Sequence, residues 1–152
     1  MITDIEMDYV ERMVTAYRHK LIELIEQSAT DHEPIHVQFE QIGRVCADYY
    51  GLKYEQLINK KTRKDEYVSA RRFWFWFAKK KFNTRMTLSV IGRLAGGYDH
   101  SAVYHQVNKF NRNYEYDQIF VEDSNGLAER LGYKIVKVEK EDYTIEQIDL
   151  QL

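Results

Sequence analysis

Between residues 4 and 27, apolar side chains recur three and four positions apart. Val10, Met13, Val14, Tyr17, Leu21, Leu24 and Ile25 therefore fall on one face of a predicted helix. Thr3 and Glu6 have the spacing of a capping box, in which hydroxyl and carboxylate satisfy backbone N–H groups at a helix start. Such a face packs on the rest of the protein or forms a seam between two copies. Residues 28–34 read as a polar break and hold the only proline, Pro34. A second helix is predicted over residues 37–50, with Phe39, Ile42, Cys46 and Tyr49 on its apolar side and Gly51 at its end. Gly43 costs that helix about 1 kcal/mol relative to alanine. It marks either a weak point or a close approach by another helix. Residues 54–58 add a short helical turn, and residues 59–64 form an exposed basic loop.

Residues 65–82 are ambiguous by local rules. The run Phe73-Trp74-Phe75-Trp76-Phe77 has no helical stripe, and the β propensity of its residues suits a strand. Phe73 and Phe77 nonetheless lie one helical turn apart, with Arg71, Lys79, Lys80 and Lys81 flanking the run. A central helix buried on every side accounts for aromatics all round. Stacking on unpaired bases is the rival use of rings beside positive charge. Residues 87–95 read as a short helix with Thr87 as N-cap and Leu88, Ile91 and Leu94 inward. Residues 99–111 read as another, held by Val103, Val107 and Phe110. Beyond residue 114, β-like alternation appears at 119–121, 133–138 and 143–148, with a turn at 123–126 and a helical turn at 126–131. A small hairpin or sheet packed on the helices, or a docking tail, fits that pattern.

Hydrophobic residues at 44% and charged residues at 30% of a 152-residue chain describe a folded globular protein and exclude wholesale disorder. Apolar runs fall short of a membrane span, and the acidic start (Asp4, Glu6, Asp8) lacks the basic region of a signal peptide, so the cytoplasm is the expected compartment. Cys46 is the one cysteine; it forms no internal disulfide and reads as a small core residue. The formal net charge of −2 conceals a segregation: residues 51–113 carry 14 Lys and Arg against 4 Asp and Glu, the remainder 8 against 20. A phosphate backbone responds to the local field of the face that it meets, so the basic middle points to nucleic acid.

Within that middle, residues 91–105 read as helix, glycine turn and helix, a helix-turn-helix. Gly96 and Gly97 permit the sharp turn. Asp99, His100 and Ser101 open the second helix and can hydrogen-bond base edges in the major groove, where each base pair shows its own donor and acceptor pattern. Ala102 is small enough to admit a close backbone and to touch a thymine methyl. Asp99 alternatively serves only as an N-cap. His100 and His105 lie about 140° apart around a helix, with no cysteine or third histidine near, so neither metal nor cofactor is expected. Arg63 and Lys64 on the loop suit the neighbouring minor groove. Arg71 and Lys79, about two turns apart, suit successive phosphates.

At these residues the sequence resembles the C-terminal DNA-binding domain of the bacterial replication initiator DnaA, an all-helical fold related to the Trp repressor. The family pattern Ile-Gly-x-x-Phe-Gly-Gly-Arg-Asp-His-Ser/Thr-Thr-Val stands here as Ile91-Gly92-Arg93-Leu94-Ala95-Gly96-Gly97-Tyr98-Asp99-His100-Ser101-Ala102-Val103. Residues 61–71 are similar to the family's basic loop and following helix, and residues 45–50 to its opening helix. The resemblance runs over about residues 36–112. It implies that Arg63 is the minor-groove arginine and that Arg71 and Lys79 bind phosphate. It also implies that Asp99, His100 and Ser101 read bases of a short asymmetric duplex site, the DnaA box. Lys61, Lys64, Thr87, Ser89 and Ala102 complete the expected DNA-binding set. Four departures stand out: Tyr98 replaces an arginine, Ala102 a threonine, Ala95 an aromatic, and Asp65 a commonly basic residue. The turn at residues 83–86 also looks longer than in the family. No Gly-x-x-x-x-Gly-Lys-Ser/Thr phosphate loop occurs, so the family's ATPase engine is not expected in this chain.

The expectation is a mainly α, DnaA C-terminal-domain-like bundle with an added N-terminal helix and a small C-terminal α/β or β appendage. Its divisions are residues 1–34 (helix and linker), 35–113 (DNA-binding domain) and 114–152 (acidic extension). It is expected to be a non-enzymatic regulator of replication or transcription that binds double-stranded DNA. A protein partner or self-association is expected through the N-terminal helix or C-terminal extension, with no membrane partner. The alternative is an interaction module that kept the fold and lost specific DNA binding.

Overall fold

The computed structural model describes residues 4–31 and 33–148, without the side chains of residues 21–31. The chain divides into two compact units, Met1–Pro34 and Ile35–Leu152. The first holds one helix, α1 (Asp4–Asp31). Residues 28–31, expected as a polar break, are helical, because no proline interrupts the backbone before Pro34. The predicted Thr3 cap lies outside the described residues, as do the side chains of Leu21, Leu24 and Ile25.

The second unit runs α2 (Ile35–Tyr49), α3 (Tyr54–Leu57), α4 (Asp65–Phe82), a 3-10 turn (Asn83–Arg85), α5 (Leu88–Leu94), α6 (His100–Tyr116), α7 (Gln118–Arg130), β1 (Tyr133–Glu139) and β2 (Asp142–Gln147). The aromatic run is helical, and every residue from Phe73 to Ala78 is buried. Burial on all sides of a central helix overrides the β propensity of its rings. Trp76 stacks on Phe110 of α6 with ring centroids 3.7 Å apart, and Trp74 stacks on Phe39 of α2 at 4.5 Å. The Trp74 indole N–H donates to the Phe39 carbonyl at 2.9 Å, so its polar edge is satisfied inside the core. Gly43 is the point of close approach: a Cβ there would sit 2.4 Å from the Trp74 ring. Cys46 lies in the same core, where burial pushes its thiol far above the ordinary range and leaves it inert.

Two expectations for the C-terminal part are corrected. Residues 119–126, predicted as strand and turn, belong to α7, which Asp117 caps by accepting from the Phe120 N–H at 3.1 Å. Phe120, Ser124, Leu127 and Ala128 form its buried face, a helical spacing that outweighs local strand and turn preferences. Tyr49 and Tyr50 donate their hydroxyls to Asp123 at 3.2 Å each, tying α7 to the end of α2. The second correction is to α6, which runs past residue 111 to Tyr116. The alternation at 133–138 and 143–148 does form an antiparallel hairpin, with Tyr133 opposite Gln147 and Ile135 opposite Ile145. The hairpin is docked on the core: Tyr133 meets Phe77 edge-on at 5.2 Å, and buried Tyr143 meets Tyr114 at 4.6 Å.

Candidate nucleic-acid interface

The geometry of α5 and α6 follows from caps and glycines. The Thr87 hydroxyl accepts from the Val90 N–H at 3.3 Å and starts α5, while Ile91 and Ala95 are buried beneath it. The Gly92 carbonyl accepts both the Gly97 and Tyr98 N–H groups at 2.9 Å, closing the turn. Gly96 and Gly97 have φ of 116° and 92°, and a Cβ on Gly96 would lie 1.8 Å from the Ile58 carbonyl oxygen. The Asp99 carboxylate accepts from the Ala102 N–H at 2.9 Å and opens α6. Val103 and Phe110 anchor the inner face of α6, leaving Asp99, His100, Ser101, Tyr104 and His105 exposed. A short, capped helix tip standing clear of the core is the shape that enters a major groove.

The loop before α4 presents Lys61, Arg63 and Lys64 to solvent. Arg71 does not join them. It is 5% exposed, and its guanidinium donates to four carbonyls: Leu57 at 2.7 Å, Thr62 at 2.6 Å, Asn59 at 2.9 Å and Gln56 at 3.1 Å. Its burial lowers its pKa, yet an arginine stays charged. The expected phosphate ligand is thus the pin that shapes the basic loop. Lys79 is half-buried and donates to the Asn83 and Met86 carbonyls at 3.2 and 3.3 Å, beside exposed Thr87. Arg71 and Lys79 therefore do not form one phosphate-facing pair. Asp65 and Glu66 occupy the first turn of α4, where the helix dipole favours carboxylates.

Loop and helix tip meet around a cleft of about 800 Å³. It is lined by Lys60, Lys61 and Arg63 of the loop and by Tyr98, Asp99, Ala102 and Gln106 at and after the glycine turn, with Arg71 and Phe75 among the remaining lining residues. The structure thereby brings together the predicted Lys61, Arg63, Asp99 and Ala102. His100, Ser101, Lys64, Thr87 and Ser89 are exposed but do not line it. Sequence reasoning missed Lys60 and Gln106. Gln106 stands four residues, one helical turn, after Ala102, which is the signal that could have found it. Its amide oxygen accepts from Arg72 Nε at 2.9 Å, fixing the side chain. Tyr98 packs edge-on against Phe75 at 5.8 Å, with the Arg71 guanidinium 5.8 Å from its ring centre. Its hydroxyl is enclosed without a hydrogen-bond partner, and burial raises its pKa against the pull of the Arg71 and Arg63 cations.

Residues 39–110 match the bacterial dnaA protein helix-turn-helix family. That stretch holds most of α2, all of α3 to α5, the basic loop, the glycine turn and the first eleven residues of α6. It resembles the DnaA C-terminal domain, and the match implies DNA binding. No helix among the described residues is long and apolar enough to cross a membrane. Nor does any group of three His, Cys, Asp or Glu among them offer a metal site.

Proposed function

We propose that this chain binds duplex DNA sequence-selectively, as a non-catalytic regulator of replication or transcription in the cytoplasm, at sites resembling the DnaA box. The observation that carries this reading is that Lys60, Lys61 and Arg63 of the basic loop share one cleft with Asp99 and Ala102 of the helix tip. The loop cations follow the phosphates or enter the minor groove, and the tip meets base edges in the adjacent major groove. His100 and Ser101 read bases from the exposed first turn of α6. Asp99 reads them while also capping α6. Tyr98 fills space under the tip where the family carries a charge, so fewer phosphate contacts are expected here.

Selection of sites from a random duplex pool at two salt concentrations tests the proposal. Enrichment of one motif, with affinity falling steeply as salt rises, is the expected result. Absence of binding at low salt would overturn it and favour a protein-interaction module. Stronger binding to single strands than to duplex would favour base stacking instead. Replacing His100 by alanine is expected to relax the motif; an unchanged motif would remove His100 from the base-reading set.

A further inference from the structure

We infer that α1 is a self-association element that pairs antiparallel with α1 of a second copy of this chain. Met7, Val10, Val14 and Tyr17 follow alternating spacings of three and four, and leucines at positions 21 and 24 continue the series. That is the seam of a two-helix coiled coil. The four described seam residues are 46–64% exposed.

The residues flanking the seam decide both occupant and orientation. Glu11 and Arg18 lie along one edge; Glu6, Met13 and Lys20 lie along the other. In a parallel pair, the edges would place Glu6 against the partner's Glu11 and Met13 against the partner's Arg18. That gives a like-charge contact and no opposite one. Turned antiparallel about a centre between Val14 and Tyr17, Glu11 faces the partner's Arg18 and Arg18 faces the partner's Glu11. Charged flanking positions set coiled-coil orientation in this way. The central layer agrees, because Val14 meets the partner's Tyr17, a small residue against a large one. A parallel pair would stack like on like.

The seam from position 7 to position 24 is about 26 Å long, short enough that the dimer dissociates on dilution. The two chains leave it at opposite ends, with the Asp31 positions about 47 Å apart. Two DNA-binding units are then offered to separate sites. That consequence rests on the proposed function; the pairing does not.

Sedimentation equilibrium of the full chain without DNA, from low to high micromolar concentration, tests the pairing. A reversible monomer–dimer equilibrium is expected. Glu11→Arg and Arg18→Glu, each folded by circular dichroism, are each expected to weaken association about tenfold by creating two like-charge contacts, and the double swap to restore it. A wild-type chain that stays monomeric throughout overturns the inference, including the case in which the stripe packs within one chain. Tighter association of Glu11→Arg indicates parallel pairing, and single variants that match wild type exclude this register; either result overturns it as well.

Discussion

Replacing Arg71 with alanine separates a loop pin from a phosphate ligand. The wild-type guanidinium serves four carbonyls, of which the bond to Leu57 is buried and the other three are partly so. A charge-assisted bond to a buried acceptor is worth about 2 kcal/mol, because its loss strands the carbonyl. Water replaces the other three in part, at about 0.5–1 kcal/mol each. The expected loss is therefore about 4 kcal/mol, a large share of the stability of a typical small domain. Urea unfolding followed by the fluorescence of the buried Trp74 and Trp76 measures it. Arg71→Lys keeps the charge but not the fork, and is expected to retain less than half of the lost stability. For a phosphate ligand the pattern is reversed. Stability would fall by less than about 1 kcal/mol, and the slope of log affinity against log salt would shrink by about 0.9, the share of one phosphate. Lysine would then substitute well. That outcome would refute the assignment.

Three further outcomes follow from the same geometry. Gly92→Ala places a Cβ 2.0 Å from the Tyr98 carbonyl oxygen, so the turn must open; a loss of about 2 kcal/mol and a fall in DNA affinity are expected, and an unchanged urea midpoint would contradict the fit. Tyr98→Arg adds a cation beside Lys60 and Arg63, and is expected to steepen the salt dependence of duplex binding by about one phosphate contact. Tyr143 donates to Glu115, and that bond, with burial, raises its pKa from 10.0 to about 12. Its contribution to stability is full below pH 10 and is lost as pH rises toward 12; Tyr143→Phe is expected to flatten that alkaline decline in thermal melts.

Local signals located the helix-turn-helix well. Capping oxygens at Thr87 and Asp99, the turn glycines Gly96 and Gly97, and apolar spacing at Ile91, Val103 and Phe110 are short-range features, and each appears in the structure as read. Residues 119–126 were legible only in part. Ile119-Phe120-Val121 favours a strand locally, and what makes it helical is a core that accepts Phe120, Ser124, Leu127 and Ala128 together. Gln106 was missed because its only sequence signal, a spacing of one helical turn after Ala102, gains a meaning once the cleft and Arg72 give the side chain a place.

The sequence by itself determined the amphipathic helices of the bundle, the turn that aims the tip, and the concentration of positive charge in the middle of the chain. These depend on periodicity, backbone freedom and composition, which act over a few residues. Only the tertiary structure decided which cations are available to a ligand. Arg71 and Lys61 are both cations in one basic stretch, yet one is consumed by backbone carbonyls and the other faces the cleft. That difference depends on where a folded loop places its unpaired carbonyls, which residues distant in sequence settle together.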